Sequence, residues 1–294
     1  MNTSPVFPLT IAVEPRSASD RERLMSALAE LAEQDQSFDY SIHQESGQTI
    51  LKSMGELHLD VIVDRLKRAY KIDMNVGAPQ VAYRETMNRS VTKDYTHKKI
   101  SSDTAQFARI SLSAGPNERG SGSMFVLNLS EDVIPARFMH GIKKGLESAT
   151  SAGVLGGFPV VNIRVEVLSG AYHETDSSAD AFEIAARAAL REALAEASVL
   201  LEPVMKVEVS APWDCIERVI GDLRSRRGEI VSRDARGETV AVTALVPLAT
   251  MFGYVNVLRS ASGGRATYTM EFDRYAEVPR SDDDPFRPAA AMRA

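Results

Sequence analysis

The chain has 294 residues, 44% of them hydrophobic, and a net charge of −6, the composition of an ordinary globular protein of two or three domains rather than of a generally basic nucleic-acid binder. No apolar run approaches the roughly 18 residues that span a bilayer, and Met1–Pro8 has neither the basic nor the apolar region of a signal peptide. Cys215 is the only cysteine, which excludes a disulfide framework within one chain, suits the cytoplasm, and reads as a small buried apolar residue.

Phe7–Glu14 alternates apolar and polar residues and predicts a strand. Ser17 or Ser19 can cap a helix over about 20–35, where Leu24, Leu28 and Leu31 fall on one face. Phe38–His43 and Gln48–Lys52 predict a hairpin around a Ser-Gly turn, and Glu56–Ala69 a second helix with Leu57, Val61, Leu66 and Ala69 near one stripe. Ile72–Val76 closes the segment as a strand. The order β-α-β-β-α-β is that of the ferredoxin-like fold.

Residues 81–202 predict an α+β segment. Ala105–Ser113 and Ser123–Leu129 read as long antiparallel strands, Arg137–Ser151 as an amphipathic helix, Val160–Val167 as a buried strand and Asp180–Ser198 as an alanine-rich helix. Gly156-Gly157-Phe158-Pro159 is the break before the buried strand. The β-α-β-β-α-β order then returns: strand Val204–Ser210, helix Trp213–Arg226, hairpin strands Glu229–Arg233 and Thr239–Val246, helix Thr250–Arg259 and strand Ala266–Tyr275. The expected fold is therefore α+β, with two ferredoxin-like domains, 1–80 and 203–280, flanking a central α+β domain, 81–202. Residues 281–294, with the Asp282–Asp284 run, read as a disordered tail.

Three phrases in the last segment carry a specific resemblance: Val219-Ile-Gly-Asp-Leu-Arg-Ser-Arg-Arg-Gly228, Met251-Phe-Gly-Tyr254 and Gly264-Arg-Ala-Thr-Tyr-Thr-Met-Glu-Phe272. Further upstream stand Ile11–Pro15, Ser53–Asp60, Asn75–Glu85, Gly170–Ser178 and Leu200–Glu208. In this order they resemble bacterial elongation factor G over about residues 6–278. The resemblance implies that 6–80, 81–202 and 203–280 are the family's third, fourth and fifth domains. It implies partners as well: the ribosome, with tRNA and mRNA met at the decoding site by the fourth domain and large-subunit RNA met by the fifth. It implies a monomer in the cytoplasm, with no membrane partner.

The family's nucleotide chemistry needs Gly-x-x-x-x-Gly-Lys-Ser/Thr, whose backbone amides cradle phosphate. Gly115–Gly120 has the first spacing but continues Ser121-Gly122 without a lysine, and reads as a hairpin loop. No cofactor is expected in this chain; GTP would belong to a GTPase domain that these residues do not contain. No catalytic constellation stands out. Glu56-Leu-His58-Leu-Asp60 spreads its three side chains around a helix, against a shared metal.

Candidate RNA contacts divide into two groups. Charge is uneven: residues 1–80 hold 8 basic and 12 acidic residues (−4), 81–202 hold 13 and 15 (−2), and 203–294 hold 13 of each (zero). In the last segment Arg218, Arg224, Arg226, Arg227, Arg259 and Arg265 cluster beside glycines, as suits an RNA backbone, although cations at a helix C-terminus are also favoured by the dipole. In the middle segment His173 and Asp176 lie in a loop before a helix that Asp176 or Ser178 caps, a loop that the resemblance makes one tip of the fourth domain. The other tip, His97-Lys98-Lys99-Ile-Ser-Ser-Asp-Thr-Ala-Gln106-Phe107, departs from the family's glycine-rich basic pattern. Its glycines and central arginine are gone and Asp103 repels phosphate, while His97, Lys98, Lys99 and Gln106 are kept. The resemblance thus points to a ribosome-binding part of a translocation factor. The alternative is a regulatory, recycling or protection protein that competes at the factor site, as a divergent paralogue would.

Overall fold

The computed structural model describes residues 6–42, 48–100 and 105–279; the Ser-Gly turn of the first hairpin, Asp103 and the 281–294 tail lie outside them. The chain divides into two compact units, one formed by the residues up to Ala82 together with Glu202–Ala276, the other by Tyr83–Leu201 and the segment from Glu277.

The first unit opens with β1 (Leu9–Pro15), α1 (Ala18–Gln34), β2 (Phe38–Ile42), β3 (Thr49–Ser53), α2 (Glu56–Arg68) and β4 (Met74–Val76). The sheet order is β2-β3-β1-β4, with the short β5 (Gln80–Val81) also antiparallel to β1. Ser17 is the cap of α1, its hydroxyl accepting from the Asp20 N–H. The face of α2 differs from expectation. Leu59, Ile62 and Leu66 are buried, whereas Leu57 and Val61 are 52% and 63% exposed. The helix is apolar on two sides, and the i, i+3, i+7 spacing of 59, 62 and 66 is the side that meets the sheet. His58 is a structural bridge: Nδ1 lies 2.8 Å from Ser53 Oγ and Nε2 2.8 Å from Asp35 Oδ2. Among the described residues no group of three His, Cys, Asp or Glu side chains could hold a metal ion.

The second unit contains β6 (Arg84–Met87), β7 (Val91–Ile100), β8 (Ala105–Pro116), β9 (Met124–Val126), α3 (Met139–Ser151), β10 (Ile163–Ala171) and α4 (Ala179–Ala197). The sheet order is β7-β8-β10-β9. Two expectations are corrected here. β8 pairs antiparallel with β7 and β10, and β9 is a three-residue strand parallel to β10 rather than a long antiparallel partner of β8. His97–Lys99 lie within β7, not in a loop. The strand escapes a hydrophobic reading because its exposed residues Thr92, Asp94, Thr96 and Lys98 alternate with Lys93, Tyr95 and His97, which are only half-buried. Small residues let α3 and α4 approach: a Cβ at Gly141 or Gly145 would meet the α4 backbone at Ala179 or Glu183.

Glu85 is fully buried in β6. Its carboxylate accepts from the backbone N–H groups of Val154 (2.8 Å), Leu155 (3.1 Å), Gly156 (3.0 Å) and Phe158 (3.3 Å). The glycine-bearing break before β10 is thus wrapped around one carboxylate, and a Cβ at Gly153 would collide with it.

The first unit resumes at Glu202, within β11 (Ser198–Pro212), and continues through α5 (Ile216–Ser225), β12 (Glu229–Arg236), β13 (Thr239–Pro247), α6 (Tyr254–Ser262) and β14 (Thr267–Glu277), in sheet order β12-β13-β11-β14. Strand for strand this repeats β2-β3-β1-β4. The last two helices start later than expected. Pro212–Cys215 form a turn before α5, and a 3-10 turn at Leu248–Thr250 followed by Gly253 at φ 69° precedes α6. The left-handed residue breaks the helix there. The buried residues of both ferredoxin-like halves form one cluster, from Leu9, Leu28 and Leu66 to Met205, Val242 and Leu258. Glu56 at the start of α2 accepts from the Gly253 N–H at 3.2 Å. Cys215 is buried and free, as expected.

Candidate nucleic-acid interface

The middle-segment candidates come together at one end of the second unit. β7 and β8 pair up to Ile100 and Ala105. Lys98 and Lys99 are exposed there, and among the described residues their ammonium groups have no ion-pair partner. His97 Nε2 lies 3.0 Å from Gln106 Oε1 across the ladder, so the Nε2–H donates to the amide oxygen. Further down the same strands Arg109 holds Asp94 through two bonds, at 2.9 and 2.7 Å. That contact keeps the Asp94 carboxyl below the usual carboxylate range.

The loop after β10 is tied to this hairpin. The Phe107 N–H donates to the Asp176 carbonyl at 2.9 Å, and the Ser177 hydroxyl donates to the Phe107 carbonyl at 2.6 Å. Ser178 is the cap of α4, accepting from Ala181 N–H at 3.1 Å, which decides between Asp176 and Ser178. The Asp176 side chain instead orders the loop. Thr175 Oγ1 donates its one proton to Asp176 Oδ1 at 2.8 Å. The 3.1 Å contact between Thr175 Oγ1 and His173 Nδ1 must then be donated by the ring, and Asp176 Oδ2 at 3.3 Å from the same nitrogen agrees. Nε2 of this exposed imidazole is left as the atom for a ligand: an acceptor when neutral, a donor to phosphate when protonated.

The six arginines of the last segment do not form one equivalent cluster. Arg226 donates to Asp222 Oδ2 at 2.8 Å and to the Thr250 carbonyl, and its guanidinium lies 5.1 Å from the Tyr254 ring centroid. It staples the end of α5 to the turn before α6. Arg227 adopts φ 64°. Its N–H donates to Arg224 O and the Gly228 N–H to Leu223 O, at 3.0 and 2.9 Å. This is a Schellman ending whose left-handed position, normally a glycine, is taken by the arginine. Its guanidinium makes a two-bond pair with the buried Glu202, both at 2.8 Å. Arg265 pairs with Asp214 at 2.6 Å, which lowers the Asp214 pKa. Arg218 donates to the Ala261 carbonyl at the end of α6, at 3.0 Å. Arg224 and Arg259 are exposed, and no side-chain partner holds them among the described residues. The acids opposing these arginines therefore include Glu202 and Asp214, remote in sequence, while Glu217 pairs with Arg233 at 2.6 Å. Arg218, Arg224 and Arg259 remain as cations that α5 and α6 offer to solvent.

Residues 4–78 match the family model of elongation factor G domain III, 79–198 that of domain IV and 199–284 that of the elongation factor G C-terminus. The chain belongs to the elongation factor G family. It corresponds to that family's domain III, domain IV and C-terminal portion. Elongation factor G of Rhodopseudomonas palustris (strain BisB18) is 55% identical over 272 residues, spanning 92% of this chain and 39% of the relative. A crystal structure from Thermus thermophilus superimposes with a TM-score of 0.70 at 36% identity, covering 95% of this chain and 42% of that one. The chain thus spans about two fifths of the length of the relatives it matches. Among the described residues no helix is long and apolar enough to cross a membrane.

Proposed function

We propose that this chain is the ribosome-binding portion of a translocation factor. The end of the second unit that carries Lys98, Lys99 and His173 enters the small-subunit decoding site, and the α5–α6 surface with Arg218, Arg224 and Arg259 lies on large-subunit RNA. The observation that carries this reading is the match of all three segments, in order, to elongation factor G domains. The exposed cations at both places agree with it. A finger that occupies the aminoacyl site blocks return of tRNA. Nucleotide chemistry is assigned elsewhere, since the sequence has no Gly-x-x-x-x-Gly-Lys-Ser/Thr phrase. The changed sequence between Ile100 and Ala105, without glycine or arginine and with Asp103, favours a second reading, in which the chain acts by occupying the factor site and competing with translational GTPases.

The test is co-sedimentation with ribosomes over a salt series. Each arginine–phosphate contact releases counterions, so affinity falls with salt at a slope of roughly −0.7 to −0.9 per contact. Replacing Arg218, Arg224 and Arg259 together with alanine is expected to weaken pelleting and flatten the slope by about two to three. Lys98→Ala with Lys99→Ala is expected to do less. Arg226 and Arg227 are unsuitable probes: Arg227→Ala leaves Glu202 buried without its cation and is expected to cost about 1–3 kcal/mol of folding stability. A triple variant that pelleted like wild type at every salt concentration would mean that the α5–α6 surface does not hold ribosomal RNA.

A further inference from the structure

The hydrogen bonds at the end of the second unit converge on one hydroxyl. Ser177 Oγ accepts from the His173 N–H at 2.8 Å and donates to the Phe107 carbonyl at 2.6 Å. The Ser177 N–H donates back to the His173 carbonyl at 3.1 Å, closing the loop on itself. The neighbouring Phe107 N–H donates to the Asp176 carbonyl at 2.9 Å. Phe107 is the ladder partner of Lys98, and its neighbour Gln106 that of Lys99. The loop of His173 and the strands of His97, Lys98 and Lys99 thus meet through two bonds to Phe107, one made by a side chain. That side chain is half-buried, with its proton and one acceptor site both in use. A serine whose only task was to start α4 would cap it, yet the cap is Ser178.

We propose that Ser177 is the positioning residue of this tip. Its hydroxyl fixes the His173 loop on the β7–β8 hairpin, so that the imidazole Nε2 and the lysines at the end of β7, which alternate across the strand, meet RNA backbone in one fixed arrangement. The inference rests on the reading of this end as the RNA-facing tip. Without the hydroxyl, the loop keeps a single backbone bond to the hairpin at Phe107. Cations on a strand end and a loop that move independently lose more conformational freedom when they bind together than cations held in place beforehand. The effect on RNA then falls on the definition of the tip contact rather than on overall affinity, which the arginines of the other unit dominate.

The test uses the full chain with spin labels at Lys98→Cys and Glu174→Cys; Cys215 is buried and stays unlabelled. In the otherwise wild-type chain a narrow distance distribution is expected. Ser177→Ala should broaden it about twofold or more, and Ser177→Thr, which keeps the hydroxyl, should restore it. Ser178→Ala removes the helix cap but not the bridge and should leave the distribution narrow, so mere fraying of α4 is told apart from positioning. Should Ser177→Ala not fold, the unsubstituted chain still decides. The His173 amide must exchange at least about tenfold more slowly than in an unstructured peptide, because Ser177 Oγ is its acceptor. An equally narrow distribution in Ser177→Ala, or an unprotected His173 amide in the wild type, overturns the proposal. Failure of the wild-type chain to pellet with ribosomes would strike the functional reading and leave these distances unaffected.

Discussion

Glu85 is a buried carboxylate held by the N–H dipoles of the Val154–Phe158 turn. Such an arrangement is strong only while both oxygens accept. Glu85→Gln replaces one oxygen by an NH2 that faces N–H groups, leaving buried donors unpaired; each such loss costs about 1–3 kcal/mol. A destabilisation of about 3 kcal/mol is expected in urea unfolding, with the loop before β10 losing amide protection first. A change below about 0.5 kcal/mol, within the range of ordinary surface substitutions, would mean that the carboxylate is not the loop's anchor. Little of this was legible in the sequence. A glutamate in a short strand gives no local sign of its partners some 70 residues away, whereas a cap such as Ser17 lies within three residues of the amide it binds. The pairing of Arg227 with Glu202 was hidden for the same reason.

At the scale of elements, the helices and the repeated β-α-β-β-α-β order were legible because each is written in local periodicity. The structure departs from the sequence pattern where periodicity has two solutions or none. Helix α2 carries apolar residues at 57, 61, 59, 62 and 66, and only packing selects the second set. Strand β7 alternates between polar and half-buried polar residues, so no apolar face announced it. The corrected face of α2 makes a clear contrast: Leu59→Ala is expected to cost about 2–4 kcal/mol by opening a cavity under the sheet, and Leu57→Ala less than about 0.5 kcal/mol. Thermal unfolding of the two variants checks this, and equal losses would return Leu57 to the core. The two tip segments were each singled out in the sequence. Their joining through Phe107, Asp176 and Ser177 needed the three-dimensional pairing of β8 with β10.

At the scale of the whole molecule, two surfaces of different chemistry sit on two separate units. One offers two lysines at the end of the β7–β8 hairpin and an oriented histidine in the loop after β10, the other three solvent-facing arginines on α5 and α6. The chain matches elongation factor G through both units, and the proposed function requires both to face the ribosome at once. The most direct measurement is electron cryomicroscopy of the purified chain cross-linked to ribosomes. Density is expected for the Lys98–His173 end in the decoding site of the small subunit, with α5 and α6 against RNA of the large subunit. Density that placed the Lys98–His173 end in solvent, or α5 and α6 away from RNA, would contradict it.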